Sequence, residues 1–131
     1  MTLPSRMKAL VLKQGGYDTS LYLLGWTPTS FDSWNPLNNL VHTRDEESGA
    51  GTFNLGGYSN AQIDDLTGQI QVETDLDQRA DLISQAWQVL HEDVGYIPLH
   101  QQALSWGVRD GIDVVQRADN VFAWRHVVVG E

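Results

Sequence analysis

His91-Glu92-Asp93 puts three side chains able to ligate a metal or move a proton next to one another. On a helix, successive residues point about 100° apart, so these three cannot converge on one ion. Asp64-Asp65 diverge in the same way, and neither His42 nor His100 has a histidine one helical turn further on. No Asp-x-Asp-x-Asp-Gly calcium loop occurs. The stretch Gly49-Ala50-Gly51-Thr52-Phe53-Asn54-Leu55-Gly56-Gly57 is glycine-rich enough to invite a phosphate loop. It lacks the Lys-Ser/Thr ending, follows no clear strand and does not directly open a helix. There is no cysteine and no Gly-x-Ser-x-Gly. The residues therefore assign no catalytic group, no metal ligand and no cofactor, and the chain is expected not to be an enzyme.

One segment is unusual in kind. Gly25-Trp26-Thr27-Pro28-Thr29-Ser30-Phe31-Asp32-Ser33-Trp34-Asn35-Pro36 places two Trp and one Phe among turn formers. An indole offers a flat apolar face, while Thr27, Thr29 and Asp32 add directional polar groups; a small-molecule pocket is usually made this way. The same residues also allow a Trp that packs its own loop onto the core. Both readings stand at this level.

These residues must be positioned by a chain of 131 residues, 41% hydrophobic and 19% charged, enough for one domain with its own core. Net charge is −9, and the stretch Asp64–Asp93 holds eight acids against one base, Arg79. That field argues against nucleic acid and anionic membranes as partners. The strongest apolar run, Leu21–Leu24, is far short of the roughly 20 residues of a membrane span. Without cysteine, disulfide scaffolds and thiol chemistry are excluded. Ala9–Leu12 is too short for the core of a secretory signal and Lys13 closes it. If the protein is exported, this chain is expected not to be its native beginning.

Along the chain, the spacing of Met7, Leu10 and Val11 predicts a short helix over Pro4–Lys13, ended by Gly15-Gly16. Thr19–Leu24 reads as a buried strand, and a short helix is expected over Pro36–Val41. His42–Gly57 is a long polar loop. Ser59-Asn60-Ala61-Gln62 has capping-box form and opens a helix striped by Ile63, Leu66 and Ile70. Asp75 or Thr74 caps the next helix, with Leu76, Ala80, Ile83, Trp87, Leu90 and Val94 as its stripe, widened by Leu82 and Ala86, and Gly95 as its stop. Tyr96–Leu99, Ala103–Trp106 and Val121–Val129 read as strand material. The order is α/β or α+β, and the C-terminal strands need a sheet that few other strands here supply.

Taken together, Gly25-Trp26 after an apolar run, Asp32, Asn54, Tyr58-Ser59-Asn60, and Asp64-Asp65-Leu66 resemble the C-terminal part of family 5 extracellular solute-binding proteins. The resemblance continues through Glu73-Thr74-Asp75, Arg79, Tyr96-Ile97-Pro98-Leu99 and Val108-Arg109-Asp110-Gly111-Ile112-Asp113-Val114. These are the dipeptide- and oligopeptide-binding subunits of ABC importers. The resemblance implies an α/β fold: an incomplete, periplasmic-binding-protein-like (type II) lobe whose C-terminal strands normally join the other lobe. Residues 1–107 would be most of the second ligand-binding lobe, and 108–131 the segment returning towards the first.

The resemblance further implies a longer parent that encloses a small peptide or similar solute between two lobes. It would deliver that solute to ABC permease subunits from the periplasmic or extracellular face of the membrane. The loop after Gly-Trp lines the ligand chamber in the family, which carries binding roles onto Gly25, Trp26, Thr27, Thr29 and Asp32. Where many peptide binders have an acid three residues after the Trp, this sequence has Thr29; Asp32, six after it, matches another acid often present. A different class of reading is an autonomous protein-interaction domain using the aromatic loop. The resemblance also implies that the sheet of the tail lies in the absent lobe, which leaves the tail either to fold onto its own lobe or to pair with another copy. Phe122, Trp124 and Val127–Val129 offer a hydrogen-bonding edge and apolar area, so the isolated chain is expected to form a homodimer through its C-terminal tail.

Overall fold

The computed structural model describes residues 21–28 and 30–130. The helix expected over Pro4–Lys13, the start of the strand expected at Thr19, and Thr29 lie outside the described residues.

Two long helices form the body. Helix α2 (Ala61–Val72) is opened by Asn60, whose extended backbone lets its Oδ1 accept from the amides of Gln62 and Ile63. The sequence pointed to Ser59 as the cap. Its hydroxyl instead bonds the Thr43 hydroxyl at 2.9 Å, and the cap moves one residue on. Helix α3 (Leu76–Asp93) is opened by Asp75, which accepts from the amides of Asp77 and Gln78. The start of α3 meets the end of α2 through Arg79 Nε and the Ile70 carbonyl, 3.1 Å apart. The far end of α3 returns to the start of α2, where Asn60 Nδ2 donates to Asp93 Oδ2. The pair is therefore antiparallel.

Before them lies α1 (Trp34–Pro36), running directly into one π-helical turn, Leu37–Val41. The His42 amide reaches back to the Leu37 carbonyl at 2.8 Å. The Asn38 and Asn39 carbonyls instead accept from Gly51 and Phe53, at 2.8 and 2.9 Å. The long loop is thus tied amide by amide to this turn. Gly51 sits at φ +63°, and a Cβ there would strike the His42 carbonyl, so only glycine fits.

Leu37, Val41, Ile63, Leu66, Ile70, Ala86 and Leu90 make the core, flanked by half-buried Trp34, Tyr58, Leu82, Ile83, Trp87 and Tyr96. The covered face of α3 is narrower than the stripe that the sequence suggested. It centres on Ala86 and Leu90, whereas Ala80 and Leu76 are exposed and Ile83 and Trp87 are only half-buried. Ala80 lies roughly 120° round the helix from Ala86, which carries it off the face that meets α2. Gln78, Asp81, Gln85 and Gln88 are exposed, as the pattern required.

The strand expectations are corrected. Leu21–Leu24 forms no strand, and Leu21 and Leu23 are 80% and 73% exposed. Tyr96–Leu99 and Ala103–Trp106 form no strand. Within Val121–Val129, Trp124–His126 is a 3-10 turn. Among the described residues the one ladder is β1 (Ile112–Asp113) with β2 (Val128–Val129), antiparallel, Ile112 opposite Val129. Extended apolar segments need neighbouring strands to complete a ladder, and the described residues supply this single pair.

Candidate functional site

The Gly-Trp loop is held at two points, the second of them on the helical body. Trp26 is the first. Its Nε1–H donates to Asn35 Oδ1 at 3.0 Å, and its ring lies 5.0 Å from that of Phe53, tilted by 60°. Phe53 is delivered there by the loop that hydrogen-bonds to the π-helical turn. The indole remains half-buried. It therefore packs against its own neighbourhood and still shows a surface outward.

Asp32 is the second point. Its Oδ2 receives Arg79 Nη1 at 2.8 Å and its Oδ1 receives Nη2 at 3.0 Å. Oδ1 also accepts the Trp34 amide, the first of α1, at 2.8 Å. The hydrogen bond from Arg79 holds the Asp32 carboxyl below the usual carboxylate range; the Trp34 amide adds to the effect and partial burial opposes it. Arg79 is itself pinned by its Nε–H to the Ile70 carbonyl, one of the groups a helix end leaves without an internal partner. One side chain thus joins the loop, the end of α2 and the first turn of α3.

Of the other residues that the sequence pointed to, Gly25 and Thr27 are exposed, and open space surrounds the position of a Gly25 Cβ. Thr29 lies outside the described residues. Asn35, Phe53 and Arg79 emerge as the residues that set the loop's position. Arg79 was visible as the lone base in an acidic stretch; Phe53 carried no such signal.

Asn54 supports this arrangement from below. It is fully buried, and its Nδ2 donates to the carbonyls of Tyr58 (2.7 Å), His42 (3.0 Å) and Val41 (3.4 Å). Its Oδ1 accepts from the Tyr58 amide at 3.1 Å. The Tyr96 hydroxyl donates to the Leu40 carbonyl close by. The glycine-rich stretch is thus scaffolding under Phe53. His91, Glu92 and Asp93 diverge: Glu92 bonds Gln88, and Asp93 bonds Tyr58 and Asn60. Among the described residues no cluster of three His, Asp or Glu side chains could hold a metal ion.

A concavity of about 470 Å³ lies in the C-terminal segment, with Trp106, Phe122, Trp124 and Arg109 in its walls and without Trp26. Trp106, Phe122 and Trp124 form a chain of ring contacts 5.6 and 4.7 Å apart. Trp124 is 81% exposed.

No protein-family model matches the chain, and no solved structure matches it. It is similar to an uncharacterized lipoprotein of Mycobacterium tuberculosis H37Rv, 41% identical over 91 residues, 70% of this chain. Uncharacterized lipoproteins of Mycobacterium bovis and of M. tuberculosis CDC 1551 are each 34% identical over a stretch of the same length. The matched stretch spans 16% of the length of each of these relatives.

Proposed function

We propose that this chain is part of the second lobe of a solute-binding subunit of an ABC-type peptide importer. In this reading the longer protein is exported and held at the membrane by a lipid, binds a small peptide between two lobes and passes it to a permease. The observation that carries the reading is the mounting of the Trp26 loop: an indole with an outward surface, fastened by Asn35, Phe53 and the Asp32–Arg79 pair to a rigid helical body. A binding wall needs such a combination of apolar face and fixed position. That the similar mycobacterial proteins are lipoproteins agrees with export and anchoring.

Ligand capture by two lobes is a shift of population towards the closed state, because only that state contacts ligand from both sides. One lobe keeps part of those contacts, so this chain alone binds weakly. The test is mass spectrometry of the full-length parent purified without denaturation. A co-purified peptide, lost with Trp26→Ala at unchanged melting temperature, supports the reading. An unchanged ligand load with a large loss of stability returns Trp26 to a packing role.

A second reading, an autonomous protein-interaction domain, is favoured by the exposed aromatics Phe31 (76%) and Trp124 (81%). Capture of one protein partner by this chain alone, abolished by Phe31→Ser, would select it.

A further inference from the structure

Within Gly25–Pro36 the sole ionisable side chain is Asp32. Its two oxygens are both engaged by Arg79, and one of them also by the Trp34 amide. Arg79 cannot swing away with it, since Nε is anchored on the Ile70 carbonyl and the guanidinium side chain is 22% exposed. The pair therefore presents no net charge. Among the described residues, the loop offers outward the surface of a half-buried indole, the exposed Phe31 ring, the exposed Thr27 and the open backbone at Gly25. A charged ligand group placed here would give up water and gain neither an opposite charge nor a free charged acceptor.

We propose that the Gly-Trp loop receives an uncharged part of its ligand, a peptide backbone or apolar side chain and not an ammonium group, because Arg79 neutralises Asp32 within the protein. The proposal rests on the solute-binding reading and narrows it to a ligand class at this wall.

The test uses the full-length parent and three probes in titration calorimetry: tri-alanine, its N-acetylated form, and maltotriose as a neutral solute that is not a peptide. The expected result is that the two peptides bind within about threefold of each other. In Arg79→Gln, which leaves Asp32 charged without its cation, acetylation should then cost about tenfold. An acetylation penalty of tenfold or more in the unaltered protein that disappears in Asp32→Asn overturns the proposal and keeps the peptide reading. A penalty that Asp32→Asn leaves in place locates the ammonium away from this loop and supports it. Binding of maltotriose alone, weakened by Trp26→Ala, overturns the peptide reading and supports the uncharged wall. Binding of none of the three overturns both. The comparison in the unaltered protein needs no variant to fold.

Discussion

Asp32 and Arg79, 47 residues apart in sequence, meet in a two-pronged ion pair at 2.8 and 3.0 Å that fixes the aromatic loop to the first turn of α3. The planar guanidinium matches a carboxylate edge to edge, a geometry that lysine cannot reproduce. The pair is half open to water, with the Asp32 side chain 38% exposed, so its contribution falls below that of a fully buried charged bond.

Arg79→Met should accordingly cost about 1–2 kcal/mol, measured by urea unfolding at neutral pH. Because the folded carboxyl of Asp32 is depressed, its stabilisation is present above the unfolded value of about 3.9 and fades as pH falls through the folded one. The loss of stability below about pH 4 should be shallower in Arg79→Met than in the unaltered chain. Parallel acid profiles would mean that the pair contributes nothing.

Asn54 is the most constrained polar side chain of the body. Removing it orphans the carbonyls of His42 and Tyr58 inside the structure. Asn54→Ala should cost roughly 3 kcal/mol or more, and Asn54→Asp should be no better, since a carboxylate cannot donate to those carbonyls. Urea midpoints within error of the unaltered chain would show that water replaces the amide without penalty.

Tyr58 donates to Asp93 at 2.7 Å, and burial, reinforced by that carboxylate, pushes its hydroxyl up to about 12. A raised folded value means stability fully present below the unfolded value near 10 and lost between about 10 and 12 as pH rises. An ultraviolet absorbance titration should show a phase near 12 from Tyr58, and Tyr58→Phe should remove that phase.

Val94 closes α3 in the left-handed region, at φ +51°, a conformation poor for a β-branched residue. The following Gly95 cannot be filled instead, because a Cβ there would meet the Tyr58 ring at 2.5 Å. Val94→Gly should therefore stabilise the chain by roughly 1 kcal/mol in thermal melts, despite its lost side chain. A lower melting temperature would show that the exposed valine packs on something in solution.

The C-terminal segment leaves Trp124, Val128 and Val129 exposed beside a ladder of two residues per strand. The chain alone should self-associate through this edge, with scattering mass rising with concentration. Val128→Lys with Val129→Lys should return it to a monomer. A monomer at every concentration in the unaltered chain would refute pairing through the tail.

Local signals determined the helices. Asp75 and the three-to-four spacing of Ile63, Leu66 and Ile70 are short-range patterns, and both helices stand where those patterns placed them. The aromatic character of the Gly-Trp loop was equally plain from composition. What the sequence could not determine was which face of α3 is covered. The suggested stripe was wide enough to hold both Ala80 and Ala86, and packing in the core covers only the Ala86 side. Strand pairing was also beyond it, because a ladder is a property of two segments and the apolar runs near Leu21, Ile97 and Val121 name no partner. The role of Asp32 was decided only in three dimensions. A carboxylate in a loop reads as a ligand contact until a guanidinium from a helix dozens of residues away is seen to occupy both its oxygens.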